Sequence, residues 1–188
     1  LKTRTGWDSQ HRNGVEVAQL AERCGVAAIT MHGRTRACAF RGLAEYDTIA
    51  AVKRAVAIPV IANGDIRSPA QAAAVLAHTG ADGLMIGRPA QGNPWLFGEI
   101  KAALAGKRWR SPALSERLAV MKAHLSALHA HYDYNTGYRI ARKHIGWYLA
   151  YLPTGQVWRR QFNRLESAAE QVHFLAELEQ TNTLERAA

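Results

Sequence analysis

Two short polar segments close apolar runs in the first half of the chain, and their residue types suit the binding of an oxyanion. Asn63, Gly64 and Asp65 follow the first run, and Gly87 and Arg88 follow the second. Glycine has no Cβ atom, so its backbone can turn sharply and bring N–H groups close to an anion. Arginine adds a forked donor that is always charged. Together the two segments predict a binding site for one phosphate group.

Each segment also has a simpler interpretation. Glycine and asparagine are common in ordinary turns, so either segment alone is as well explained by a turn as by a binding site. The occurrence of both in consecutive structural units favours the binding site. That interpretation requires two neighbouring parallel strands that end at the same edge of a sheet.

The surrounding sequence predicts such strands. Apolar runs alternate with helical patterns at a period of about 25 to 30 residues, which is typical of a parallel sheet covered by helices. Four strand–helix units fit the chain. Their strands end in polar residues at Lys2 and Arg4, at His32 and Arg34, at Asn63 and Asp65, and at Gly87 and Arg88.

Helix boundaries are predicted from capping residues. The third helix has Ser68 as its cap, Pro69 at its first position and Gly80 after its end. The fourth helix is predicted to begin at Asn93-Pro94. Cys24, at the end of the first helix, is predicted to pack in the core.

The strand ends distinguish between two parallel architectures. A doubly wound dinucleotide-binding sheet is expected to carry G-x-G-x-x-G after its first strand, and this chain has no such sequence. Polar residues at the end of every strand are typical of a β/α barrel. We therefore predict an α/β fold: the carboxyl-terminal half of a TIM (β/α)8 barrel over residues 1–106, followed by a small all-α helical bundle domain over residues 107–188.

The predicted helical domain is strongly basic. Residues 107–164 contain 11 Lys and Arg against Glu116 and Asp133, a balance of +9 that equals the net charge of the whole chain. Basic residues interleaved with tryptophan and tyrosine suit RNA, whose phosphates need cations and whose bases need stacking surfaces. A solvated basic face with buried aromatics is the alternative. We expect the tryptophans to be buried in the bundle, and we expect Arg139, Arg142 and Lys143 to contact RNA.

Several motifs, in order, carry a resemblance to a known family. "KTRTGW", "HGRTRACAFRG", "AEYD", "PVIANGDI", "GLMIGRPAQGNPWLF" and "GYRIARKHIGWYL" resemble the bacterial tRNA-dihydrouridine synthases, most closely their B type. The resemblance implies a barrel that binds FMN and a small helical domain. It also implies reduction of a tRNA uridine to 5,6-dihydrouridine with NADPH as reductant. Family members carry four more β/α units ahead of this portion, so we expect the chain alone to be inactive.

The resemblance also assigns roles to individual residues. Lys2 corresponds to the lysine beside the flavin ring, and His32 to the active-site histidine near it. Such groups stabilise negative charge on a reduced flavin or on a uracil enolate. "RIARKH" corresponds to a tRNA-contacting helix, and Arg34 and Arg36 to the rim near the target nucleotide. The phosphate-binding loops of the family correspond to Asn63, Gly64, Asp65, Gly87 and Arg88.

No proton donor is assigned within this chain. The family protonates C5 of uracil with a cysteine on a loop of the amino-terminal half, which we expect to be absent here. Cys38 lies among arginines that could lower its pKa. Its family counterpart is not the acid, so we interpret Cys38 as a loop residue.

Other classes of function are less well supported. Two cysteines without metal-type spacing predict reduced thiols and no metal site. No apolar run reaches the roughly 18 residues of a membrane span, so a cytoplasmic protein is expected. Two alternatives stay open: an RNA-binding module without catalysis, and an unrelated phosphate-binding barrel lyase or isomerase. A four-stranded sheet with open edges also predicts self-association.

Overall fold

The computed structural model describes the backbone of residues 1–184 and the side chains of residues 1–180. It contains four β-strands and eight α-helices in that range. The strands are β1 (Lys2–Arg4), β2 (Ile29–His32), β3 (Val60–Asn63) and β4 (Gly83–Met85). The helices are α1 (Gly14–Arg23), α2 (Asp47–Ala55), α3 (Pro69–Thr79), α4 (Leu96–Leu104), α5 (Leu114–His131), α6 (Tyr134–Leu149), α7 (Gly155–Phe162) and α8 (Ala168–Leu184).

The strands form one parallel sheet in the order β1-β2-β3-β4. The predicted α/β class and parallel sheet are therefore confirmed. The order follows the chain without the reversal that creates the switch point of a doubly wound sheet. In the register, Arg4 pairs with His32, His32 with Asn63, and Asn63 with Met85. The polar ends of the first three strands therefore lie in one row.

The chain divides into two compact units, and the first contains the sheet. It comprises Leu1–Pro89 and Leu96–Trp109. Its core contains apolar side chains from the central strands and from the helices that cover them. Met31 and Val60 on the strands are fully buried, as are Ile49 and Val52 on α2.

The capping signals of α3 are confirmed. The Ser68 side chain accepts a hydrogen bond from the Gln71 N–H, Pro69 is the first helical residue, and Gly80 adopts a left-handed conformation with φ 64°. The predicted burial of Cys24 is wrong, since its side chain is exposed. Helix α1 ends at Arg23, and its inward face is formed by Ala18 and Ala21.

The second unit comprises Ala90–Trp95 and the chain from Arg110 onward. The predicted start of the fourth helix at Asn93-Pro94 is wrong, because α4 begins at Leu96. The segment Ala90–Trp95, which precedes α4, packs within the second unit. A Cβ atom on Gly92 would lie 2.3 Å from the Trp147 carbonyl carbon, so only glycine permits this contact.

The second unit has its own apolar core. Helices α5, α6, α7 and α8 all contribute to it, through fully buried side chains that include Met121, Ile145, Phe162 and Leu175. The described part of the chain from Arg110 onward contains helices and no strand. Tyr151 lies beyond the end of α6 and is 48% exposed.

Candidate functional sites

The two predicted phosphate-binding segments lie side by side. Asn63 Nδ2 donates a hydrogen bond to the Met85 carbonyl at 2.7 Å, which joins the ends of β3 and β4. Beyond these ends, Arg88 Nη2 lies 3.8 Å from Asp65 Oδ1. The structure therefore brings both segments to one edge of the sheet, as the binding-site interpretation requires.

The two glycines of this edge have different surroundings. Gly64 has φ 130°, and a Cβ atom there would lie 2.7 Å from Ala44 Cβ. Its carbonyl accepts a hydrogen bond from the Tyr46 hydroxyl at 2.7 Å. In contrast, a Cβ atom on Gly87 would meet no atom of the described residues within 4 Å. Gly64 is thus required by local packing, whereas Gly87 faces open space.

Arg34 is buried beneath this edge, with 4% of its surface exposed. Its Nη2 donates to Asp65 Oδ2 at 2.7 Å and to the Gly42 carbonyl at 2.6 Å, and its Nε donates to the Arg41 carbonyl at 3.2 Å. The sequence placed Arg34 at the rim, facing RNA. A buried guanidinium with these partners would have to break its hydrogen bonds to reach RNA.

Asp65 organises the turn in which it lies. Its Oδ2 accepts hydrogen bonds from Arg34 and from the Ala44 N–H, the latter at 2.8 Å. Burial acts to raise the pKa of Asp65, but the bonds from Ala44 and Arg34 and the charge of Arg34 outweigh burial and lower it. Asp65 is therefore an anion at neutral pH. Its Oδ1 is buried and accepts no hydrogen bond from the described residues.

His32 is a neutral imidazole at pH 7. Burial, followed by the charges of Arg4, Arg34 and Lys2, lowers its pKa to about 4, and Asp65 opposes this shift. His32 is 8% exposed as a residue, and its Nε2 lies 3.3 Å from Arg34 Nη1. His32 is thus held in place without carrying a charge.

Two cations are accessible: Lys2 at the start of β1, paired with Thr30 two residues before the row of strand ends, and Arg88 beyond β4. Lys2 is exposed and makes no hydrogen bond or ion pair with the described residues. The Arg88 side chain is 57% exposed, and its guanidinium lies 5.3 Å from the centroid of the Phe40 ring. The Arg4 guanidinium lies 5.5 Å from the same centroid. Sequence reasoning missed Phe40, because no local pattern indicates that one arginine on β1 and another beyond β4 reach it.

The remaining rim residues pair with each other. The Arg36 guanidinium lies 4.3 Å from the Trp7 ring, and both residues are exposed.

Cys38 Sγ accepts a hydrogen bond from the Thr35 hydroxyl at 3.0 Å, and this bond is the main cause that lowers the pKa of Cys38. Within residues 1–180, no group of three or more His, Cys, Asp or Glu side chains is placed to hold a metal ion.

The basic residues of α6 divide into two kinds. Arg139 and Lys143 are exposed; Arg139 Nε donates to the Tyr138 hydroxyl at 3.2 Å, and Lys143 Nζ lies 5.0 Å from the Trp147 ring centroid. Arg142 instead donates from Nη2 to the Leu165 carbonyl at 2.6 Å. Arg139 and Lys143 are thus available to a ligand, whereas Arg142 connects α6 to the segment before α8.

The tryptophans of the second unit serve mainly in packing. Trp95 and Trp158 are partly buried against its apolar core. Trp147 is also half-buried, although Lys143 covers its ring.

No helix in the described part of the chain is long and apolar enough to cross a membrane.

Comparison with known proteins gives close relatives. The tRNA-dihydrouridine synthase B of Klebsiella pneumoniae is 55% identical over 176 residues, which are 93% of this chain and 55% of that protein. The protein of the same name from Escherichia coli (strain K12) matches with the same identity and coverage, at 55%, 93% and 55%. That from Vibrio cholerae is 54% identical over 93% of this chain and 55% of its own length. The chain thus spans about half the length of the curated relatives it matches.

One solved structure shows slight likeness to this chain. Wild-type GGGPS from Thermoplasma volcanium matches with a TM-score of 0.37 and 27% identity, covering 50% of this chain and 36% of that one. A match at that TM-score says nothing about fold or function. The family model for dihydrouridine synthase (Dus), in contrast, matches residues 1–187. The chain therefore belongs to the dihydrouridine synthase (Dus) family.

Proposed function

We propose that this chain is the carboxyl-terminal part of a flavin-dependent enzyme that reduces uridine to 5,6-dihydrouridine in tRNA, with NADPH as reductant. The observation that carries the proposal is the convergence of His32, Asn63 and Arg88 at one sheet edge in a member of the Dus family. The names of the relatives support tRNA as the substrate. Family membership leaves no support for an unrelated lyase or isomerase.

The proposed architecture is half of an eight-stranded barrel followed by a helical bundle. Four parallel strands in sequential order are what four consecutive units of such a barrel provide. The chain also matches only 55% of the length of its relatives. Both observations support the assignment of the first unit to a barrel that other strand–helix units complete.

The residues present fit FMN. Gly87 faces open space, and the accessible guanidinium of Arg88 can pair with a phosphate. The negative charge of Asp65 is directed at Arg34 and at the Ala44 N–H, so it is compensated rather than presented to the ligand. Lys2 would hold the flavin ring. The phosphate would be held by the loops that contain Asn63, Gly64, Asp65, Gly87 and Arg88.

The protein groups would supply binding and electrostatics around that cofactor. When bound, FMN supplies the hydride-transfer chemistry. Lys2 contributes a positive charge that favours an anionic ring edge. His32, which is neutral at pH 7, contributes a hydrogen bond without donating a formal charge. No general acid is assigned among these residues.

The tRNA would bind to exposed cations on both units. On α6 these are Arg139 and Lys143, and at the sheet edge Arg36 lies over Trp7. Each cation that contacts a phosphate releases counterions, so the binding should weaken as salt increases. An RNA-binding module without catalysis is the second candidate, favoured by the exposed cations Arg139 and Lys143 on α6.

An exchange experiment tests the function. The matched 176 residues of the Escherichia coli relative are replaced by the corresponding residues of this chain. The purified chimaera is given FMN, NADPH and tRNA that lacks dihydrouridine, and the nucleosides are measured by mass spectrometry. We expect dihydrouridine to form, and Lys2→Ala to lower the rate at least tenfold, while Lys101→Ala on α4 leaves it unchanged.

The same experiment separates the two candidates. A folded chimaera that binds tRNA and forms no dihydrouridine would contradict the enzyme proposal and favour the RNA-binding module. The 188-residue chain alone, tested in parallel, is expected to bind tRNA without reducing it.

A further inference from the structure

The hydrogen bond between Arg34 and His32 can have only one direction. Arg34 Nη1 lies 3.3 Å from His32 Nε2, and neither atom is exposed. A guanidinium carries only N–H donors, so the imidazole nitrogen that faces it must accept. An accepting Nε2 carries no proton. The proton of the neutral ring is then on Nδ1.

Arg34 cannot easily turn away from the ring. Its Nη2 is bonded to Asp65 Oδ2 and to the Gly42 carbonyl, and its Nε is bonded to the Arg41 carbonyl. Only 3% of the Arg34 side chain is exposed. The donor that faces His32 is therefore fixed by three bonds to other groups.

The ring of His32 is also confined. Gly64 packs against the side that bears Nε2, since a Cβ there would lie 3.2 Å from His32 Cδ2 and 3.5 Å from Nε2. The Phe40 ring lies 6.5 Å from the imidazole, centroid to centroid. Nδ1 forms no hydrogen bond with the described residues. It is the ring atom left for a ligand.

We propose that Arg34, held by Asp65, is a positioning residue that fixes His32 as the neutral tautomer with its proton on Nδ1. The consequence for catalysis rests on the proposed function. A neutral Nδ1–H donates a hydrogen bond to an oxygen on which negative charge develops, such as a uracil carbonyl during reduction. It does so in one fixed direction and without exchanging a proton.

The charged groups around His32 set the expected effects of substitution. Lys2 and Arg4 from β1 and Arg34 from the end of β2 disfavour the imidazolium, whereas Asp65 favours it. Removal of Arg34 should therefore raise the pKa of His32. Removal of the Asp65 charge should lower that pKa while releasing the Arg34 guanidinium.

The tautomer can be measured directly by NMR. The 188-residue chain is labelled with ¹⁵N-histidine, and long-range ¹H–¹⁵N correlations are recorded at pH 7, with His32→Gln used to assign the signals. We expect Nδ1 to appear protonated and Nε2 unprotonated. Free histidine in water favours the opposite tautomer. A protonated Nε2 in the unsubstituted chain would overturn the proposal, whatever the variants do.

Two variants test the role of Arg34. In Arg34→Gln the Nε2–H tautomer should become dominant and the pKa of His32 should rise. Arg36→Gln removes the same charge from an exposed neighbour and should leave the tautomer unchanged. Equal tautomer populations in all three proteins would contradict the proposal. Because the measurement needs no turnover, an inactive chimaera with an intact Nδ1–H tautomer would count against the proposed function alone.

Discussion

Arg34 and Asp65 form an ion pair in which both side chains are nearly buried. Arg34 Nη2 lies 2.7 Å from Asp65 Oδ2, and the side chains are 3% and 15% exposed. The pair joins the loop after β2 to the turn after β3. Because the same carboxylate also accepts the Ala44 N–H, one side chain sets the conformation of both loops.

Substitution of Asp65 should therefore destabilise the first unit. Asp65→Asn leaves the buried Arg34 charge without its counterion, which should lower the free energy of unfolding by about 3 kcal/mol. Lys53→Gln is the control, because it breaks the more exposed Lys53–Asp82 pair and should cost clearly less. Urea unfolding measures both. Equal losses would mean that the buried pair contributes no more than a surface pair.

The two glycines of the site should respond differently to alanine. Gly64→Ala places a Cβ atom 2.7 Å from Ala44 Cβ at a φ of 130°, so we expect a loss of about 2 kcal/mol or more. Gly87→Ala meets no atom and should change stability by less than about 0.5 kcal/mol.

For FMN binding, the informative substitution is Gly87→Ala, which is expected to leave stability unchanged. If the backbone at Gly87 approaches the phosphate, Gly87→Ala should weaken FMN binding in the chimaera at unchanged melting temperature. Fluorescence quenching of FMN and thermal unfolding measure the two quantities. Unchanged affinity would remove Gly87 from the phosphate site.

The sequence predicted those parts of the structure that depend on local signals. Ser68, Pro69 and Gly80 act through neighbouring backbone groups, so the boundaries of α3 could be read from the chain. The row of strand ends followed from the apolar runs and from the fixed register of parallel strands.

The parts that were missed depend on distant partners. Arginine is usually exposed, and nothing near Arg34 in sequence indicates that Asp65, 31 residues away, would bury it. Arg142 likewise bonds to a carbonyl 23 residues away. The segment Ala90–Trp95 lies in the second unit because Gly92 packs against the Trp147 backbone, which no local pattern indicates.

The basic face of α6 gives a prediction for tRNA binding. Arg139→Gln combined with Lys143→Gln should weaken tRNA binding. The slope of log binding constant against log salt concentration, here called the salt slope, should become less steep by about 2, one unit for each lost phosphate contact. Arg23→Gln with Arg54→Gln removes the same charge from exposed positions on α1 and α2, and should have little effect. Binding is titrated between 50 and 200 mM salt. Equal effects would indicate a nonspecific response to net charge.

Arg142 should behave as a structural residue. Arg142→Gln removes charged hydrogen bonds to the Leu165 carbonyl, and we expect the free energy of unfolding to fall by about 2 kcal/mol. When the folded variant is compared with the folded unsubstituted chain, the salt slope of tRNA binding should be unchanged. A lower slope with unaltered stability would instead place Arg142 among the phosphate contacts.

The pKa of His32 gives a prediction for stability against pH. The folded chain protonates His32 with a pKa of about 4, whereas a histidine in the unfolded chain has its ordinary pKa of 6.5. The unfolded state thus binds more protons between these values, so stability present above pH 6.5 is lost as the pH falls toward 4. His32→Gln should remove this part of the pH dependence. Coincident curves for the two proteins, measured by urea unfolding, would contradict the shift.

The edges of the sheet predict association of the 188-residue chain. In the described residues, β1 and β4 each pair with one neighbour only, so both present unpaired backbone groups. Met85 on β4 and Leu1 beside β1 are also exposed, at 36% and 54%. Sedimentation velocity should therefore show species larger than a monomer that increase with concentration. The chimaera supplies further strand–helix units that can cover these edges, and it should sediment as a smaller oligomer or a monomer. A stable monomer of the 188-residue chain at all concentrations would show that its open edges are not sites of association.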